Sequence, residues 1–115
     1  MIEELLKQER ELERSRIISE TAKIPWLELQ RFFAAGKVMW IAADIDLVDV
    51  ACALQQDDLQ QVETWTEAQQ LAPVSNEQAR SWVDADALLW SVVVKPWVLV
   101  QEITSASPRL REDLF

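Results

Sequence analysis

The sequence predicts an α+β domain: a small, mainly antiparallel sheet of about three strands, covered by about four helices, with the last strand long and kinked at a proline. Three observations lead there. The stretch Asp84–Ile103 is the longest apolar run, dense in Val, Leu and Trp and interrupted only by Ser91 and Lys95-Pro96. It is too polar in its middle to cross a membrane and reads as a buried central strand. Segments with helical spacing and capping signals precede it. Finally, 50% of the 115 residues are apolar, which supports one folded domain with a single core.

Residues 2–20 form a charge-rich helix with Ile2, Leu5, Leu6, Leu12, Ile17 and Ile18 as its apolar positions. Leu5 and Leu12 keep a heptad spacing, but Ile2 is followed seven and fourteen residues on by Glu9 and Arg16, so a sustained coiled coil is not predicted. Glu3 and Lys7 make one favourable i,i+4 pair. A helix this polar needs a partner to hold it, either the domain or another copy of the chain.

Thr21–Ile24 is a connector. Pro25 suits the first turn of a second helix, whose Trp26, Leu29, Phe32 and Phe33 fall on one side. The single glycine, Gly36, stands where a left-handed cap would end that helix. Val38–Ala42 is a strand, Ala43–Ile45 a short turn and Asp46–Leu54 a second strand, apolar at Val48, Val50, Cys52 and Leu54; the pair is an antiparallel hairpin. Asp57 or Asp58 caps a third helix, with Gln60 or Gln61 at the reciprocal position and Leu59, Val62 and Trp65 inward. Pro73 ends that region. Ser75-Asn76-Glu77-Gln78 is a capping box for a fourth helix, with Ala79, Trp82 and Val83 inward. In the long strand, Pro96 cannot donate to a ladder and marks a bulge, a kink or an edge.

The chain divides into a charged helix (1–20), one α+β domain (21–103) and a tail (104–115) expected to fray. Helices are expected on one face of the sheet. Three strands are marginal alone, so the other face would be free to pair with a second copy.

The net charge is −9, and residues 38–94 hold ten acids against Arg80 alone. Such a surface repels phosphate, which argues against nucleic acid and anionic membranes as partners. Its simplest use is solubility. There is no histidine, the commonest general base and metal ligand. Cys52 is the only cysteine, which excludes an intrachain disulfide. The start lacks a signal-peptide pattern, and a reducing, cytoplasmic setting is expected.

Six tryptophans are the oddest feature of the composition: Trp26, Trp40, Trp65, Trp82, Trp90 and Trp97. Core packing explains most of them, each ring burying much area while its N–H finds an acceptor. Trp97, beside Lys95 and Pro96 where the strand is irregular, is the first candidate for a ligand or partner surface, and an aromatic cage for a cation would suit the acidic field. Asp84 and Asp86 stand near the end of a helix, where acids oppose the dipole. Asp86 either shapes the turn into the strand, pairs with Lys95 or Lys37, or belongs to a polar site with Lys95 and Trp97. Asp44, Asp46 and Asp49 lack metal-loop spacing, so no metal or other cofactor is expected. Cys52 has no nearby base and is expected to be a buried, inert thiol.

Residues 21–38 (TAKIPWLELQRFFAAGKV), 46–51 (DLVDVA) and 96–101 (PWVLVQ) resemble the uncharacterised bacterial family called domain of unknown function 2288. The resemblance spans about residues 15–102 and implies a small, single-domain bacterial protein. It implies no activity, cofactor or catalytic residue. The residues themselves favour a small non-catalytic interaction module that forms a homodimer or binds another protein. A small-molecule binder with a Trp-lined pocket near Lys95–Trp97 is the alternative.

Overall fold

The apolar run folds as two strands rather than one. In the computed structural model, which describes residues 1–103, Leu88–Val94 and Trp97–Glu102 pair antiparallel, with Val94 opposite Trp97 across a two-residue Lys95-Pro96 connection. The proline that was expected to kink one strand instead separates two, because it cannot continue the ladder. The expected tail lies outside the described residues.

In chain order the elements are α1 (Ile2–Glu20), β1 (Ala22–Pro25), α2 (Trp26–Ala34), β2 (Val38–Ile41), α3 (Leu47–Gln55), α4 (Leu59–Glu67), β3 (Leu71–Pro73), α5 (Asn76–Asp84), β4 (Leu88–Val94) and β5 (Trp97–Glu102). The fold is α+β, but the described residues form a five-stranded sheet in the order β1-β4-β5-β2-β3. Only β2 and β5 pair parallel. Two strands lie in stretches with no strand period: the expected connector is β1, paired with β4, and the residues before Pro73 are β3, paired with β2.

The largest correction concerns residues 46–54, which form α3 and not a strand, so the expected hairpin with β2 does not exist. The Asp46 carboxylate accepts from the Val48 amide at 2.8 Å and caps the helix start. Leu47, Val48, Val50, Ala51, Cys52 and Ala53 are all buried. A helix enclosed on most sides is apolar on both of the faces that a strand would show, so periodicity cannot separate the two.

Helices cover both faces of the sheet, not one. On the first face, Ile41, Leu71, Val92, Val94 and Leu99 pack with Ile17 of α1, the apolar side of α3, and Val62 and Trp65 of α4. On the second, Val38, Leu89, Val98 and Val100 pack with Trp26 and Leu29 of α2 and Ala79 and Trp82 of α5. Trp26 meets Trp82 and Phe33 edge to face at 5.0 and 5.6 Å between centroids, contacts worth about 0.5–1.5 kcal/mol each. The Trp26 indole N–H is buried without a hydrogen-bond acceptor among the described residues, contrary to expectation, whereas Trp40 donates to Glu102 at 3.5 Å. Gln101 is buried and donates to the Ala42 and Ile45 carbonyls at 2.8 and 2.7 Å, which fixes the loop leading into α3.

Two expected inward positions face out. Leu59, the first residue of α4 beside its Asp58 cap, is 73% exposed. Val83, in the last turn of α5, lies at the rim and is 42% exposed.

Four helix ends repeat one device. At the ends of α2, α3, α4 and α5 a residue takes positive φ: Gly36 (74°), Asp57 (56°), Gln69 (61°) and Asp86 (49°). In each case that residue and the next donate back into the last turn, as in Asp86 N–H to Val83 O at 3.1 Å and Ala87 N–H to Trp82 O at 2.9 Å. These are Schellman caps, which satisfy the orphan carbonyls at a helix end. The glycine assignment is as expected; the other three caps use residues that adopt this conformation less readily.

Candidate functional site

The three residues singled out from the sequence do not converge. Asp86 is exposed, and its position in the left-handed cap of α5 accounts for it as a turn residue. Lys95 is exposed at the other end of β4, and a seven-residue strand sets them about 20 Å apart or more. Trp97 is half-buried and packs against the core of the first face. Lys95 and Trp97 are therefore neighbours at the β4–β5 connection, and Asp86 is remote from both.

What stands out instead is α1 and the way it is held. Its last two turns lie on α3. Ile17, 1% exposed, inserts into the core of the first face. One turn earlier, Arg14 reaches α3: its Nη1 donates to Asp49 Oδ1 at 2.9 Å and approaches Cys52 Sγ at 3.9 Å. Asp49 and Cys52 are three residues apart on α3 and so share the side facing α1. Sequence reasoning missed this pair because Arg14 and Asp49 are 35 positions apart.

Arg14, Asp49 and Cys52 line an open cleft of about 350 Å³ between α1, α3 and α4, walled by Gln61 and Trp65. The Asp58 carboxylate caps α4 by accepting from the Gln61 amide at 3.3 Å, which sets that wall. Burial pushes the Cys52 thiol up from its ordinary pKa, and Arg14 opposes the rise without cancelling it. The thiol is thus protonated at neutral pH and a poor nucleophile. The hydrogen bond to Asp49 holds the Arg14 guanidinium firmly charged. The Asp49 carboxylate offsets that charge, so Arg14 is not a free cation in the cleft. Beside it, one oxygen of Glu13 is buried without a hydrogen-bond partner among the described residues. Among those residues no group of three or more His, Cys, Asp or Glu is placed to hold a metal ion. The arrangement is chemically quiet and mechanically useful: it clamps the C-terminal half of α1.

The N-terminal half is different. Every residue from 1 to 12 is exposed, and among them Ile2, Leu5, Leu6 and Leu12 are 72%, 60%, 46% and 72% exposed. No side chain caps the start of this helix. Among the described residues no helix is long and apolar enough to cross a membrane.

Comparison with known proteins places the clamp inside a shared domain. A family model described as "Protein of unknown function (DUF2288)" matches residues 13–102. The NMR solution structure of PA1075 from Pseudomonas aeruginosa is similar at 43% sequence identity, covering 77% of this chain and 82% of that chain with a TM-score of 0.71. The comparison with curated proteins finds no match. The matched span begins within α1, between Leu12 and Arg14, where exposed helix gives way to clamped helix.

Proposed function

We propose that this chain, which belongs to the DUF2288 family of proteins of unknown function, is a small non-catalytic interaction module of the cytoplasm whose docking element is the projecting half of α1. One observation carries the proposal: four large apolar side chains lie exposed on a helix segment that the domain does not cover. A helix segment of about eleven residues is marginal in water on its own, so a partner that buries this stripe gains both apolar contact and helix. The sheet offers less. Both of its faces carry helices, and its two edge strands are four and three residues long and each ends in a proline, which blunts strand pairing.

The test compares proteins captured from native lysate by the chain and by a Leu5→Asp/Leu12→Asp variant. Partners held by the wild type and lost by the variant support the reading. An identical captured set rules α1 out as the docking element.

A further inference from the structure

We infer that the occupant of the projecting half of α1 is the same segment of a second copy of this chain, running antiparallel; this rests on the reading of α1 as the docking element. The apolar stripe is self-complementary about Lys7. Ile2 and Leu12 are equidistant from that centre, so in an antiparallel pair each Ile2 faces the other copy's Leu12, and each Leu5 faces the methylene stem of Glu9. Leu6 flanks the middle of the seam, and Lys7 points away from it.

Charge selects this orientation. A parallel pair would stack Glu9 on Glu9 and Arg16 on Arg16 within the seam, like charges at core positions. It would also bring two domains side by side, each with ten acids against one arginine over residues 38–94. The antiparallel pair separates the Glu9 copies and sends the two domains to opposite ends of the paired segment. It uses only residues 2–12, so neither clamp at Arg14 and Ile17 is disturbed.

Area sets the strength. A buried Leu or Ile side chain removes roughly 100 Å² of apolar surface from water. Eight of them across two copies give roughly 800 Å² before any polar rim is counted, which suits a weak, reversible dimer. Glu9 in the seam keeps the pair from tightening further.

Sedimentation equilibrium of the full chain, from about 1 µM to about 1 mM, tests the pairing. The weight-average mass should rise from 13.3 kDa toward twice that value. The Leu5→Asp/Leu12→Asp variant should stay monomeric throughout, and at about 1 µM, where both chains are monomeric, its thermal midpoint should match the wild type's, because neither residue touches the core. Orientation is read in a Cys52→Ser background by oxidising an equal mixture of Ile2→Cys and Leu12→Cys chains. Disulfides between the two species support the antiparallel pair, in which the two copies of position 12 lie about 15 Å apart along the axis. Predominant bonding of Leu12→Cys to itself overturns that orientation. A wild-type chain that stays monomeric overturns the second copy as occupant, as does a dimer that survives the double substitution. A monomer whose lysate partners still depend on Leu5 and Leu12 would leave the docking reading standing and only the self-pairing lost.

Discussion

Helices α2–α5 and helix α1 are held in opposite ways. Each of the four is nine residues long and ends in a left-handed cap, and three of them start with a side-chain cap: Asp46 on α3, Asp58 on α4 and Ser75 on α5. On α5 the box is complete, Gln78 bonding back to the Ser75 amide at 2.9 Å. α1 is 19 residues long, has no side-chain cap, and leaves into β1 through an extended Thr21. The short helices are fixed at their ends and spread over the sheet. The long one is fixed at one patch, Ile17 and Arg14 on α3, and continues past it. A helix whose length exceeds what its own domain can cover has its extra turns available for something outside.

The sharpest way to break that contrast is Ile17→Ala. It removes the one fully buried residue of α1 and should lower unfolding stability by about 2–5 kcal/mol, read by urea denaturation. A loss under about 1 kcal/mol would mean that α1 is not anchored as described. The contrast is sharpened from the other side at the left-handed caps. Gln69→Gly should stabilise the fold by about 0.5–1 kcal/mol, since a residue with a Cβ is disfavoured at φ 61°. Asp86→Gly should gain less, because Asp tolerates this conformation better than Gln. A fall in stability at position 86 would show that the carboxylate has a contact beyond its turn.

Cys52 links the clamp to pH. Its folded pKa is raised, so the stability it contributes is fully present below the unfolded thiol's value, about 8.5. That contribution is lost as pH rises beyond there through the folded value. Urea midpoints measured between about pH 7 and pH 10 should fall for the wild type and fall less for Cys52→Ala. Parallel slopes in the two proteins would mean the thiol is not held protonated by the fold.

Much of this was legible in the sequence, and the failures have physical causes. The extent of α1, the capping box at Ser75, the cap at Gly36 and strand β2 follow from local chemistry, which acts within a few residues. α3 misled because every residue of Leu47–Ala53 except Asp49 is buried, and its apolar even positions Val48, Val50 and Cys52 match one face of a strand. β1 and β3 are edge strands of four and three residues, too short to show a period. The acid at position 86 drew notice for opposing a helix dipole, when its backbone angle is what the position uses. The clamp depends on Arg14 meeting Asp49, which only the folded chain reveals. The apolar stripe of α1 was visible throughout; what the sequence could not say is which of its residues the domain covers, Ile17, and which it leaves bare, Ile2, Leu5, Leu6 and Leu12.

The smallest effect is expected at the ion pair, and its size discriminates between two kinds of clamp. The side chains of Arg14 and Asp49 are 43% and 52% exposed, so water and salt screen the pair despite its 2.9 Å contact. A double-mutant cycle of Arg14→Ala and Asp49→Ala in about 0.15 M salt should give a coupling below about 1 kcal/mol, shrinking further at about 1 M. Arg14→Ala alone should leave the fold intact, because Ile17 remains in the core. If the coupling instead exceeds about 2 kcal/mol and resists salt, the cleft excludes water in solution and the pair is a principal anchor of α1. With the expected small coupling, Ile17 is the anchor, and Arg14 mainly sets the angle at which the free turns of α1 leave the domain.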